Sequence, residues 1–318
     1  MRAAVGLRRL LRGNYWDVVY VVDSWTIPVF WLATGGRMRC GKAGVVYHTF
    51  EWLDPKPSYA WRRAFERWLC RRADLVVNID RLRGRTMQAL YRLAREPLWI
   101  RHQLSRSEPV PPRDPELRQR LLGEGLADTK VLILSPSIAH PERVTMELIQ
   151  AVAKLPNSFY LATIGGTGDY QGSCERLVRQ LGVGGRVRFL PPMPFEEVMR
   201  YVASSDVGIA LHDGSRSLGN YFGCPLRLSM FAAAGVPVVA SAYPGLEADV
   251  YRYRLGVCCD PLDPAAIANA ITEVADPARA ACFDRQGIRR AFEEGLCIES
   301  RGPALVRALE EIVRHKRA

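Results

Sequence analysis

The sequence predicts an α/β protein made of two doubly wound parallel sheets, and three observations lead to this class. Short runs rich in Val and Ile alternate with longer helical patterns from one end of the chain to the other. Many of these runs contain no polar residue, as expected for strands buried on both faces, and their alternation with helices is typical of βαβ units. The 318 residues are enough for two domains of ordinary size.

The predicted elements alternate through both halves of the chain. The strands are Val18–Val22, Gly44–Tyr47, Leu75–Ile79, Leu98–Arg101, Val131–Leu134, Phe159–Ile164, Val187–Leu190, Val207–Leu211, Val236–Ala240 and Gly256–Cys259. The helical patterns include Tyr59–Arg72, Arg81–Leu93, Met146–Lys154, Ser173–Leu181, Pro194–Ser204, Pro264–Val274 and Arg301–Lys316. Ligands of such folds bind outside the carboxyl ends of the strands, so we expect a cleft where the carboxyl ends of the two sheets face each other.

A proline-rich stretch, Glu108–Pro115, separates the two series of elements. Proline clusters form semi-rigid connectors and not the interior of helices or strands. We therefore predict one domain over residues 1–113 and a second over residues 114–296. The remaining residues, 297–318, contain the last helix, whose apolar side chains recur at helical spacing.

Composition and charge limit the partners that the protein can have. Lys and Arg total 44 against 33 Asp and Glu, a formal charge of +11. This balance favours phosphates, nucleic acid or an acidic membrane surface, although solvated helix faces would explain scattered arginines equally well. A nucleic-acid binder is the weakest alternative, because no basic stripe is interleaved with aromatic residues. We expect no nucleic acid as a partner.

The cysteines and the apolar runs point to a cytoplasmic protein. The eight cysteines contain no Cys-x-x-Cys pair and no zinc-type spacing with the five histidines, which favours reduced thiols. The first residues are too interrupted by charge for a signal peptide, and no run approaches the ~18–20 apolar residues of a membrane span. A short amphipathic helix at the start could touch a membrane, with an ordinary surface helix as the alternative.

One segment predicts an anion site from local chemistry. Pro225-x-Arg227 opens a helix of small residues that ends at Gly235, so a cationic side chain lies beside the free N–H groups of a helix N-terminus. The alternative is an ordinary helix packed on a sheet.

Further segments, in matching order, resemble the motifs of a known family. They are Asp17–Asp23, Val46–Glu51, Glu66–Asn78, Ala162–Gly168, Arg186–Leu190, Ser205–Ala210, Ser217–Arg227, Pro244–Glu247 and Asp260–Asp263. They span nearly the whole chain, and the second half is the closer match. The sequence resembles the GT-B glycosyltransferases of the large retaining family 4, the glycosyl transferases group 1.

The resemblance implies a nucleotide-sugar donor, linked through UDP or GDP and bound by the C-terminal domain. Arg227 stands where the family has a lysine that contacts the donor diphosphate, and Arg143 stands at the other basic position. Both charges would stabilise the diphosphate as it leaves. A surface salt bridge is the alternative for each. GT-B enzymes generally need no metal, so no metal and no other cofactor are expected.

Further site residues follow from the same resemblance. Gly165, Gly166 and Gly168 would let the backbone approach the nucleotide, and Leu218 and Asn220 would lie near the sugar or the phosphates.

The resemblance also concerns the acceptor side. His48 and Glu51 follow the second predicted strand and could position an acceptor hydroxyl, although a lone histidine is also often structural. No catalytic base is assigned. In GT-B proteins the final helix crosses back to the N-terminal domain, and residues 297–318 are expected to do so here.

Two departures from the family pattern leave a second function open. Met230 stands where the family commonly has a glutamate that holds the nucleotide ribose, and the first βα units of the N-terminal domain have no counterpart. The expected function is transfer of a sugar to a glycan or lipid-linked acceptor in polysaccharide biosynthesis, in the cytoplasm and peripherally at the inner membrane face. The alternative is a non-catalytic homologue that binds nucleotide-sugar or serves as an accessory subunit.

Overall fold

The computed structural model describes residues 1–37, 40–54, 56–126, 129–166, 168–279 and 281–317. The strands are β1 (Val18–Val22), β2 (Gly44–Thr49), β3 (Leu75–Asn78), β4 (Leu98–Trp99), β5 (Val131–Ser135), β6 (Phe159–Ile164), β7 (Val187–Leu190), β8 (Val207–Ala210), β9 (Val238–Ser241) and β10 (Gly256–Cys259). The helices are α1 (Arg2–Gly13), α2 (Asp23–Ala33), α3 (Ala60–Cys70), α4 (Arg81–Tyr91), α5 (Pro115–Leu122), α6 (Thr145–Lys154), α7 (Asp169–Gln180), α8 (Phe195–Ser204), α9 (Leu218–Tyr221), α10 (Leu226–Ala233), α11 (Pro244–Arg252), α12 (Pro264–Ala275), α13 (Arg285–Ala291) and α14 (Gly302–Arg317).

The chain divides into two compact units. The first is Met1–His102 together with Arg301–Ala318, and the second is Gln103–Ser300. The first division lies before the proline-rich connector, so Leu104 already belongs to the second unit, where its N–H donates to Ser229 Oγ at 3.0 Å.

The first unit is a four-stranded parallel sheet in the order β1-β2-β3-β4. Successive residues of β2 point to opposite faces. Val45 and Tyr47 belong to a core that includes Ile27 of α2 and Leu69 of α3. On the other face α14 packs so closely that a Cβ on Gly44 would collide with Ile312.

The second unit is a six-stranded parallel sheet in the order β10-β9-β8-β5-β6-β7. Leu132 and Leu134 of β5 belong to one hydrophobic core, and Ile133 between them belongs to another. The strand is therefore buried on both faces, which explains its uninterrupted apolar sequence. Because β5 lies between β6 and β8, the connections diverge at this point, and the crevice that doubly wound sheets have at such a point is expected at the carboxyl ends of β5 and β8.

The predicted fold class is confirmed, since both sheets are parallel and alternate with helices. Strands β1, β6, β7 and β10 have the predicted bounds. Strand β2 is longer than predicted, so His48 lies inside the strand. Helix α2 was not predicted, because Pro28 interrupts its sequence and its apolar residues show no helical period.

Candidate functional site

Two connections meet at the carboxyl edge of the six-stranded sheet. The one after β5 ends in a single 3-10 turn, Pro141–Arg143, and the one after β8 begins with Leu211. The N–H of Asp213 donates to the carbonyl oxygen of Glu142 at 2.9 Å. This bond joins the two connections and fixes the backbone on both sides of the crevice.

Arg227 is a buried cation in the first turn of α10. The residue is 7% exposed, and a terminal nitrogen donates to the carbonyl oxygen of Leu211. Its Nε is buried without a hydrogen-bond partner, and no carboxylate pairs with it in the part of the chain that the structure describes. Burial and, next, the charge of Arg143 lower the pKa of Arg227 to about 9. A buried cation without a counter-ion costs several kcal/mol, and an anionic ligand would offset that cost.

Arg143 is held by a strained backbone. The next residue, Val144, has φ of 48° and ψ of 41°, a left-handed conformation that is a clear outlier for a β-branched side chain. Val144 is fully buried, and its packing therefore holds the strained turn in place. Strained residues of this kind cluster at binding and active sites, and this one follows Arg143 directly.

The two guanidinium groups share one site. The charge of Arg143 contributes to the lowered pKa of both Arg227 and His212, so all three side chains lie close together. Among the described residues, no hydrogen bond or ion pair involves the side chain of Arg143. Two neighbouring cations without a carboxylate partner have the charge and the free donors that an anion requires.

His212 and Asp213 do not supply the missing negative charge. Burial and the charge of Arg227 lower the pKa of His212 to about 3, so the ring is neutral and its Nε2 donates to the carbonyl oxygen of Asn220 at 2.7 Å. Burial raises the pKa of Asp213, but hydrogen bonds from Ser215 and Arg216 hold it below its ordinary value. That carboxylate is thus satisfied by its own loop.

The predicted glycines lie on the turn after β6. Gly165 has φ of +95° and Gly168 has φ of +111°, values that L side chains rarely adopt. A Cβ on Gly166 would collide with the end of the Gln171 side chain. The turn therefore exposes backbone at the edge of the sheet.

Leu218 and Asn220 lie on the short helix α9, beside the connection after β8. The side-chain amide of Asn220 donates to the carbonyl oxygen of Asp213 at 3.3 Å and approaches Glu142 Oε2 at 3.5 Å. The structure therefore brings Asn220 to both connections that border the crevice.

His48 lies at the carboxyl end of β2 in the first unit. The residue is 6% exposed; Nδ1 is 2.8 Å from the hydroxyl of Tyr20, and the ring stacks on Phe50 with the ring centroids 4.2 Å apart. Its Nε2 is buried and has no partner among the described residues. Burial lowers the pKa of His48 to about 4, so the imidazole is neutral and its Nε2 can bond to a hydroxyl.

Glu51 is exposed on the loop after β2, and the groups that act electrostatically on His48 are Asp23 and His102 instead. Asp23 has a left-handed backbone, and its carboxylate accepts the N–H groups of Phe50 and Glu51 at 2.7 and 3.0 Å. The sequence did not single out Asp23 or His102. An acidic residue directly after a strand is the one available signal for Asp23.

Met230 is 6% exposed and belongs to the apolar core of the second unit. Packing therefore accounts for the methionine at this position. Among the described residues no group of three or more His, Cys, Asp and Glu side chains is arranged to hold a metal ion. No helix in the same residues has the length and apolar character that a membrane crossing requires.

Comparison with known proteins identifies similar chains. Residues 129–276 match the family model of the glycosyl transferases group 1. A mannosyltransferase of Mycolicibacterium smegmatis, described as GDP-mannose-dependent and specific for phosphatidylinositol monomannoside with α-(1-6) linkage, is 32% identical over 57% of this chain and 48% of its own length. A D-inositol 3-phosphate glycosyltransferase of a Mycobacterium species is 26% identical over 84% of this chain and 58% of its own length. The chain thus spans about half the length of these relatives.

Solved structures show the same fold. Anabaena HepE in complex with UDP aligns with 97% of this chain and 82% of its own, with a TM-score of 0.79 and 18% identity. Sucrose-phosphate synthase of Thermosynechococcus elongatus aligns with 99% of this chain and 80% of its own, with a TM-score of 0.74 and 17% identity. The two parallel-sheet units have the GT-B fold of these glycosyltransferases.

Proposed function

We propose that this protein is a glycosyltransferase that moves a sugar from a UDP- or GDP-sugar to a glycan or lipid-linked acceptor. The observation that carries the proposal is the buried Arg227, which lies close to Arg143 and has no carboxylate partner among the described residues. Two such cations suit a diphosphate, and two similar proteins are described with a nucleoside diphosphate: one relative is named as GDP-mannose-dependent, and one solved neighbour holds UDP.

The chemistry follows from where charge develops. As the bond between the sugar and the diphosphate breaks, negative charge grows on the leaving phosphate oxygens. Arg227 and Arg143 would stabilise that charge, and a guanidinium can contact two oxygens at once. We propose that these two side chains supply the positive charge without a metal ion, and that Gly165, Gly166 and Asn220 border the nucleotide-sugar.

On the acceptor side, we propose that the free Nε2 of His48 binds the acceptor hydroxyl. Its neutral imidazole has the hydrogen-bonding capacity to orient an alcohol near neutral pH. Glu51 remains a candidate only for contacts at the surface, since its side chain is exposed. Retention of the anomeric configuration is part of the proposal and rests on the family resemblance.

A second candidate is a nucleotide-sugar-binding or accessory subunit without transfer activity. The specific observation in its favour is Met230, whose apolar side chain is packed in the core at the position where a ribose-binding glutamate was expected. We place either function in the cytoplasm, with peripheral contact at the inner membrane face.

Calorimetric titration of the purified chain with UDP, GDP and their sugar conjugates tests the proposal. Binding of one nucleotide, with slow hydrolysis of its sugar conjugate, supports a transferase. Binding without any turnover of the sugar conjugate, with or without glycan and lipid-linked acceptors, supports the second candidate. If none of the nucleotides gives heat or a thermal shift, both are wrong.

A further inference from the structure

We propose that α1, α2 and α3 form a docking surface for an anionic lipid bilayer. This inference rests on the proposed function only for the location of the protein at a membrane. The three helices are neighbours, because α2 packs on both α1 and α3. Their outward apolar side chains form what is called here the tryptophan face: Trp25, Val29, Leu32 and Trp61.

Helix α2 supplies the apolar centre of this face. Ile27, Phe30 and Ala33 point into the core, yet the opposite side of the helix is also apolar. Trp25 is 67% exposed and Leu32 is 50% exposed. A helix that is apolar all round is normally buried, so a partner is expected to cover the outer side.

Aromatic rings continue the face from α2 onto α3. Phe65 lies edge-on to Trp31 of α2 at 5.8 Å and to Trp61 of α3 at 6.3 Å. Trp61 is 54% exposed. Tryptophan is the residue that favours the boundary between water and lipid, because its ring is apolar and its N–H is polar.

Positive charge lies beside the apolar centre. Arg2, Arg8, Arg9 and Arg12 are exposed on α1, which packs on α2. On α3 the side chains of Arg67 and Arg71 lie towards α4, where Arg71 Nε donates to the carbonyl oxygen of Tyr91 at 2.9 Å, so α1 supplies most of the charge. The three helices contain two acidic residues, and neither opposes this charge: Asp23 is bonded to two backbone N–H groups, and Glu66 is buried between the hydroxyls of Tyr47 and Tyr91.

This combination selects one occupant. A second copy of the chain would place one basic face against another, which charge repulsion opposes. Nucleic acid would use the arginines and the rings but not the aliphatic side chains of Val29 and Leu32. An anionic bilayer would contact the arginines, the aromatic rings and the aliphatic side chains together, because acyl chains cover the apolar side chains and the headgroups pair with the arginines.

Vesicle binding of the whole chain, measured without donor or acceptor, tests the inference. We expect the protein to sediment with vesicles of phosphatidylcholine and phosphatidylglycerol, and only weakly with phosphatidylcholine alone. The double variant Trp25→Ser, Leu32→Ser should weaken binding about tenfold or more, because two inserted apolar side chains are lost. The matched control Tyr251→Ser, Leu262→Ser, with two exposed apolar residues of the second unit, should bind like the wild type.

A second readout does not depend on the stability of a variant. Lipids brominated on their acyl chains should quench the tryptophan fluorescence of the wild type on binding. The inference is overturned if the wild type ignores anionic vesicles, or if both double variants bind equally well. It is also overturned if the wild type self-associates through this face or if RNA is the better ligand. A protein that binds vesicles but no nucleotide would keep this inference and lose the proposed function.

Discussion

Replacing Arg227 with methionine is expected to stabilise the free protein while weakening its binding of diphosphate. The fall in pKa from 12.5 to about 9 means that burial and, next, the charge of Arg143 together disfavour the charged side chain by roughly 5 kcal/mol. The variant also loses the hydrogen bond to Leu211, which contributes about 1.5–3 kcal/mol for a charged donor. The net gain in the free energy of unfolding is therefore about 2–3.5 kcal/mol at neutral pH.

The change in the free energy of unfolding caused by Arg227→Met depends on pH. A cation whose folded-state pKa is lowered destabilises the fold fully below the folded value, here about 9, and the penalty disappears as pH rises towards 12.5. The gain from Arg227→Met should accordingly be complete at pH 7. Binding of UDP or GDP should weaken by ~1.5–3 kcal/mol, about 10- to 150-fold in Kd, because a charge-assisted hydrogen bond is lost.

Urea denaturation with and without nucleotide measures both quantities in one series. Arg118→Met is the matched control, because Arg118 is equally buried but pairs with Asp206 at 2.9 Å. Breaking that pair should destabilise the protein by about 3–5 kcal/mol and leave nucleotide affinity intact. If Arg227→Met destabilises the free protein as much as Arg118→Met, and the nucleotide still binds, Arg227 is a structural residue and the reasoning is refuted.

Three more predictions concern the glycines, the packing of the last helix and pH. Gly165→Ala should destabilise by about 1–2 kcal/mol because of its positive φ, whereas Gly166→Ala should cost less, since only the end of a flexible side chain must move; equal losses on denaturation would contradict this. Gly44→Ala should destabilise the first unit, and Ile312→Ala combined with it should cost less than the two single changes added together; additive effects in a double-mutant cycle would mean that the two positions do not touch. The pKa of His48 is lowered from 6.5 to about 4, so the free energy of unfolding should fall by roughly 3 kcal/mol as pH falls through this window. In His48→Gln the free energy of unfolding, measured by denaturation at pH 7 and pH 4, should differ less between the two pH values than in the wild type. An equal difference in both proteins would mean that another group titrates.

Hydrophobic pattern was sufficient to predict the sheets. A strand such as β6 is buried on both faces, and an apolar run as short as Phe159–Ile164 is typical of such a strand and too short for a helix of ordinary length. Helix α2 could not be found in this way, because its outer side is as apolar as its inner side and Pro28 lies within it. The feature that hid the helix is the same feature that now marks it as an interaction surface.

The site was predicted in part, and the limits are physical. Position in the motif singled out Arg227 and Arg143, but only the structure reveals that burial leaves Arg227 without a carboxylate among the described residues. The left-handed backbone of Val144 has no signal in the sequence, because a β-branched residue rarely adopts it and only the surrounding packing imposes it. Glu51 was named with His48 because both follow the same run, yet the electrostatic neighbours of His48 are Asp23 and His102.

The contact between Ile312 and Gly44 also sets the order in which the chain can fold. The second unit is continuous in sequence, so it can fold as soon as residue 300 has left the ribosome. The first unit begins earlier but must wait for α14, so during synthesis the Gly44 face of its sheet stays uncovered while nearly two hundred further residues are made. During that interval the first unit is the incomplete one, although it is synthesised first. A chaperone is therefore expected to bind the nascent chain at the uncovered Gly44 face.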